Sequence, residues 1–333
     1  MSAAGPPGAT DLPWLQGPMT LARAALSGER APHSLLVIGQ PGAGLALFAD
    51  WLIALRHCES RELPPCGRCK SCLWLAAGHH PDHLWLTPLE ESKEIRIDQV
   101  RALLEQLAMT GHQGRHRTAL IAPAERLNRN AANAFLKMLE EPPAGSLMVL
   151  ASAAPSRLPA TIRSRCLRIE LPLPGRAASA SWLGERCGGD VLAWHRVLEV
   201  AGNDPVSLCQ TGLSLALAQV SDLEETARSL AAGTSEPLQL ARKWDDERYE
   251  RRLQELENLV TKYLLQSAVT STPHLLSAAQ MPKLRPMFEL LDRIRDDRLL
   301  AETPVNRRYS LTVLLSAAQA ALQNAAVLAG GGP

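Results

Sequence analysis

The chain has 333 residues, 46% of them hydrophobic, and its 35 Lys and Arg nearly balance 34 Asp and Glu. That length exceeds what one hydrophobic core organises and implies two or three domains, while the balanced charge excludes a global positive field that would hold nucleic acid by counterion release. The longest apolar runs, such as Leu213 to Val220, fall well short of a membrane span, and the N-terminus lacks the regions of a signal peptide; a cytoplasmic protein with no membrane partner is expected.

Aromatic residues are only 4% of a chain rich in Leu and Ala, a composition that favours helices. Strand-length apolar runs occur at Ser34 to Ile38, His83 to Thr87, Thr118 to Ala122, Leu147 to Ala151 and Cys166 to Leu171. Helix-period segments lie between them at Leu45 to His57, Asp98 to Leu107 (with Asp98 as N-cap) and Asn130 to Leu139. Strands alternating with helices predict a parallel sheet. The pattern stops near Leu171, before Pro172, Pro174 and Gly175, which places a boundary there.

Beyond it, Ala177–Arg186 and Val191–Val200 read as short helices separated by Gly188 and Gly189, with Gly202 to Pro205 closing a small helical unit. Four longer segments follow, near Ala216–Ala232, Leu238–Ala268, Lys283–Ala301 and Asn306–Val327, and predict a helical bundle. The expected division is therefore an α/β domain over 1–171, a small helical domain over 172–212 and an all-α domain over 213–333.

Directly after the first strand, Gly39-Gln40-Pro41-Gly42-Ala43-Gly44-Leu45-Ala46 keeps the glycine spacing of a phosphate-binding loop leading into a helix. A working loop continues with Lys, which reaches the β- and γ-phosphates, and Ser or Thr, which holds Mg²⁺. Leu45 and Ala46 stand there instead. Backbone amides at a helix start still attract an anion, but metal-assisted phosphoryl transfer loses its main electrostatic support. The third strand ends in Ala122-Pro123, where a hydrolase needs a metal-binding Asp and a water-activating Glu; Glu125 lies three residues beyond the Asp position and reads as a solvated carboxylate.

Of the seven cysteines, four form Cys58-x7-Cys66-x2-Cys69-x2-Cys72, inserted at 58–72 between the first two strands. Four soft donors at short loop spacings suit a closed, structural tetrahedral Zn²⁺ site, and metal binding in a reducing compartment fits better than a disulfide framework. His79, His80 and His83 follow as competing donors, but the cysteines already complete the shell and the histidines read as ordinary surface residues.

The segment Asn130-Ala131-Ala132-Asn133-Ala134-Phe135-Leu136-Lys137-Met138-Leu139-Glu140-Glu141-Pro142-Pro143, followed by Ser164-Arg165-Cys166, resembles the clamp-loader AAA+ subunits, which carry an N-A-x-L-K-x-L-E-E-P-P helix end and an S-R-C motif. The cysteine module is similar to that family too, and the three-domain layout with a helical collar extends the resemblance along the whole chain. It implies an AAA+-type α/β domain, a helical lid and a helical collar that assembles with gamma/tau and delta subunits to load a sliding clamp onto primed DNA. Among members, the altered loop and strand end look like a non-hydrolysing subunit that does not bind ATP productively. By the same resemblance Arg165 matches an arginine finger that acts in trans on a neighbour's ATP, while Arg157 and Lys137 read as surface charges. Two departures agree: Ala151-Ser152-Ala153-Ala154-Pro155 leaves only Ser152 as a nucleotide-sensing hydroxyl, and Gly202 to Val206 lacks the arginine of active relatives. Alternative readings are an autonomous AAA+ ATPase and a zinc-ribbon nucleic-acid binding module built on the cysteines with Arg68 and Lys70.

Overall fold

The computed structural model describes residues 6–28, 31–60, 65–89, 92–108, 116–246, 248–269, 281–300 and 306–329. The chain forms two compact units, Gly5–Pro174 and Gly175–Pro333. The first contains α1 (Gln16–Ser27), β1 (Ser34–Ile38), α2 (Leu45–His57), α3 (Lys70–Ala76), β2 (His83–Leu86), α4 (Ile97–Ala108), β3 (Arg117–Ile121), α5 (Arg129–Glu140), β4 (Ser146–Ser152), α6 (Ala160–Arg163) and β5 (Leu167–Glu170).

The strands form one sheet in the order β2-β3-β4-β1-β5, with every pair parallel. Parallel strands are covered on both faces and so read as nearly continuous apolar runs. Leu36, Ala119, Ile121, Met148 and Leu150 belong to the core that also holds Val100, Leu103 and Leu107 of α4 and Phe135, Met138 and Leu139 of α5. The alternate residues Leu35, Val37, Leu120 and Val149 are equally buried, and α2 packs on β1, β3 and β4. Burying each such side chain contributes roughly 1.5–3 kcal/mol.

Local chemistry sets the helix starts. Asn128 caps α5, its side chain accepting the Ala131 N–H at 2.9 Å. Asp98 is not the N-cap of α4: the helix begins one residue earlier at Ile97, and Gln99 Oε1 accepts the Arg96 N–H at 3.0 Å, half of a capping box.

The second unit is helical throughout its described residues: α7 (Arg176–Cys187), α8 (Val191–Ala201), α9 (Pro205–Thr211), α10 (Leu213–Ala231), α11 (Pro237–Trp244), α12 (Tyr249–Val269), α13 (Met281–Leu300) and α14 (Arg307–Ala329). Gly202 to Pro205 opens a further helix rather than closing the unit, because Asp204 accepts the Ser207 N–H at 3.1 Å and Pro205 occupies the first helical position. The single helix expected from Leu238 to Ala268 is two. The chain leaves α11 at Asp245, and Asp246 Oδ1 takes the Arg248 N–H at 2.9 Å, a local bond that competes with helix continuation. Cys187 at the end of α7 and Cys209 in α9 form a disulfide with Cα atoms 6.0 Å apart, a pairing the sequence reading did not anticipate when it set metal binding above disulfides. Among the described residues, no helix is long and apolar enough to cross a membrane.

Candidate functional site

The glycine loop leaves the C-terminal end of β1, the edge of a parallel sheet where ligands gather. Gly39 N–H bonds the Ser152 carbonyl at 3.2 Å, tying the loop to the end of β4. Gly42 and Gly44 have φ of 90° and 87°, and Gly44 is the N-cap of α2, with no side chain on its orphan amides. Leu45 and Ala46 are the first two helical residues. The preceding chain folds over the loop: Trp14 Nε1 donates to the Ala43 carbonyl at 3.0 Å, and the fully buried Leu12 and Leu15 pack against Gly44. A loop that in a hydrolase presents amides and an ammonium to phosphate here has buried residues 42–44 under apolar side chains.

The neighbouring strand ends are occupied by structural bonds. Glu125 is not a solvated carboxylate; its Oε1 accepts the Ala153 N–H at 3.2 Å and its Oε2 is buried. Ser152 is fully buried and its Oγ accepts the Ala154 N–H at 3.2 Å, so this hydroxyl closes its own turn.

Cys58, Cys66, Cys69 and Cys72 converge, with their sulfurs within 4.8 Å of one another. Tetrahedral thiolate coordination puts sulfurs about 3.8 Å apart, so a small closure completes a shell. Backbone amides already point at the sulfurs: Cys66 N to Cys58 Sγ at 3.3 Å, Cys69 N to Cys66 Sγ at 3.4 Å and Cys72 N to Cys69 Sγ at 3.4 Å. The Arg68 and Cys69 amides hold the Cys66 thiol down at about 6, whereas burial pushes Cys72 up to about 12 and raises Cys58. These four cysteines could hold a metal ion, and the all-sulfur set has no open position for chemistry.

The histidines that follow do not join this cluster. His80 and His83 are buried rather than on the surface. His57 Nε2 and His83 Nδ1 share Thr118 Oγ1 at 2.9 and 2.8 Å, and His80 Nε2 meets Ser71 Oγ at 3.3 Å. Burial, with neighbouring His80, pushes His83 down to about 4, and burial likewise pushes His57 down to about 3. They are neutral core groups that join the cysteine module to β3.

Arg165 lies between α6 and β5, at the N-terminal ends of the strands, opposite the C-terminal end of β1 that carries the glycine loop. Ser34 Oγ, at the start of β1, donates to its carbonyl at 2.9 Å. Its Nη1 donates to the Thr161 carbonyl at 3.1 Å and its Nη2 to Glu140 Oε1 at 2.7 Å. Arg165 and Glu140 belong to two separate sequence motifs, and their contact was not legible before the fold was known.

Residues 18–174 match a family model described as DNA polymerase III, delta subunit. The DNA polymerase III subunit delta' of Pseudomonas aeruginosa is 41% identical over 184 residues, covering 54% of this chain and 56% of that protein. That of Escherichia coli is 32% identical over 208 residues, covering 62% and 60%. Over its N-terminal unit the chain is therefore similar to DNA polymerase III delta-prime subunits. It spans about 56% and 60% of the length of these delta-prime relatives. DNA polymerase III subunit tau of Salmonella typhimurium is 35% identical over 147 residues, 44% of this chain but 22% of tau. In fold, the chain is similar to a DNA polymerase III, gamma subunit-related protein of Thermotoga maritima, with a TM-score of 0.51, 19% identity and coverage of 92% of this chain and 99% of that one. The parallel sheet with its helical continuation is the AAA+-type architecture implied by the sequence.

Proposed function

We propose that this chain is the non-hydrolysing, delta-prime-type subunit of a cytoplasmic DNA polymerase III clamp loader. In this reading it supplies Arg165 to the ATP site of a neighbouring gamma/tau subunit and, with gamma/tau and delta, helps load the sliding clamp onto primed DNA. The α/β domain carries the finger, residues 172–212 form a lid and 213–333 form the collar. The four cysteines hold a structural Zn²⁺, which the thiolate set and its short spacings favour.

The observation that carries this reading is the separation of Arg165 from the chain's own glycine loop. Arg165 is tied to Ser34 at the start of β1, and the loop begins at Gly39. Five residues of strand span about 17 Å, so the guanidinium is remote from any nucleotide on its own subunit and is available to another's. A guanidinium in trans neutralises charge on the transferring phosphoryl group, worth ~10³–10⁵ in rate in GTPases. Meanwhile Leu45, Ala46, Ala122 and Pro123 supply neither ammonium, hydroxyl nor carboxylate to the chain's own loop.

The test is phosphate release with Mg²⁺ and ATP. The purified chain alone is expected to release none above background, and adding it to gamma/tau and delta to raise DNA-stimulated hydrolysis. Mg²⁺-dependent turnover by the isolated chain would overturn the reading.

A further inference from the structure

Glu140 is the last residue of α5, where the helix dipole disfavours a carboxylate by about 0.3–1 kcal/mol. It makes an ion pair with Arg165 at 2.7 Å, with the two side chains 53% and 38% exposed. Pairs this open contribute only about 0–1 kcal/mol to stability, so holding the fold together does not account for a carboxylate at this position. Its effect is on geometry. A free arginine carries about 2 kcal/mol of rotamer entropy, and a group that acts on another subunit's phosphate must be held before the subunits meet. Here Ser34 fixes the backbone carbonyl of Arg165, Thr161 takes Nη1 and Glu140 takes Nη2, so β1, α6 and α5 all hold one residue. Two of the five guanidinium donors are used in this way and three remain for a ligand.

We propose that Glu140 is a positioning residue that orients the Arg165 guanidinium for the neighbouring subunit's nucleotide. This rests on the reading of Arg165 as a finger in trans. Glu140 joins the end of the E-E-P-P motif to the S-R-C motif, so a helix end and a strand entry 25 residues apart act as one device.

The experiment compares wild type, Glu140→Ala, Glu140→Gln, Arg165→Ala and the double Glu140→Ala/Arg165→Ala variant, each as the full chain reconstituted with gamma/tau and delta. The readouts are kcat and KM for ATP in DNA-stimulated hydrolysis, with thermal unfolding of each variant alone as the folding control. Glu140→Ala is expected to lower kcat about ten-fold, within the range that a misplaced group costs, with KM and the unfolding midpoint unchanged. Glu140→Gln keeps an acceptor and recovers most of the rate, and the double variant is no slower than Arg165→Ala. If Arg165→Ala lowers kcat but Glu140→Ala leaves it unchanged or raises it, or if the two losses add in full, the positioning role is overturned while the finger stands. An Arg165→Ala variant with undiminished activity overturns both.

Discussion

Leu12 Cδ1 lies on Gly44 so closely that a Cβ built on this glycine would be 2.6 Å from it, with Leu15 Cδ1 at 3.4 Å. Gly44 also has φ of 87°, the left-handed region that side chains disfavour. The start of α2 is thus sealed by the chain's own N-terminal turn. Gly44→Ala should destabilise the protein by about 2–5 kcal/mol, combining a left-handed backbone term of ~1–2 kcal/mol with overpacking of ~1–3 kcal/mol. Urea unfolding of Gly44→Ala with and without Leu12→Ala checks the division, since shortening Leu12 relieves only the steric part.

Restoring the two missing loop residues should not restore hydrolysis. The Leu45→Lys/Ala46→Ser variant regains an ammonium and a hydroxyl, but β3 still ends in Ala122 and Pro123, and Leu12 and Leu15 still cover the loop. Steady-state phosphate release by this variant alone is expected to stay at background. A rate near one per second, at the low end for typical enzymes, would show that the loop residues were the whole deficit.

The cysteine cluster should bind one zinc per chain, released by strong chelators. Cys72 is pushed up to about 12 and Cys58 is also raised, so the metal must displace their protons, and affinity falls as the pH is lowered. Zn:protein ratios on protein purified without added metal, together with proton release on titration, check this. Cys72→Ser should drop the ratio well below one.

The buried histidines give an acid dependence. His83 has a folded pKa of about 4 against an ordinary 6.5, so the unfolded chain binds a proton that the folded one refuses. Stability is unaffected above 6.5 and falls as the pH drops toward 4, by about 3 kcal/mol in total at about 1.4 kcal/mol per pH unit. Urea midpoints at pH 7 and 4.5 for wild type and His83→Asn measure it. The variant's loss between the two pH values should be smaller than wild type's, and equal losses would assign the effect to other groups.

The parallel sheet was legible because buried strands write themselves as apolar runs; β1 and α2 begin and end where periodicity and glycine placed them. Features set by a few local bonds were not. Asp246 interrupts what reads as one continuous helix, and Asp204 with Pro205 starts a helix where a turn was expected. At the site, residue identities disclosed what the glycine loop lacks, but not what covers it, since Leu12 and Trp14 are far from Gly44 in sequence. Pairings such as Arg165 with Glu140, His83 with Thr118 and Cys187 with Cys209 depend on which elements meet, information that spacing along the chain does not contain.

The most direct test of the central claim, that this subunit serves a neighbour's nucleotide and not its own, is DNA-stimulated ATP hydrolysis by the reconstituted complex carrying Arg165→Ala. The account predicts normal assembly and ATP binding by the complex with hydrolysis at the adjacent site reduced by ~10³ or more. Undiminished hydrolysis at that site, in a complex that assembles normally, would contradict it.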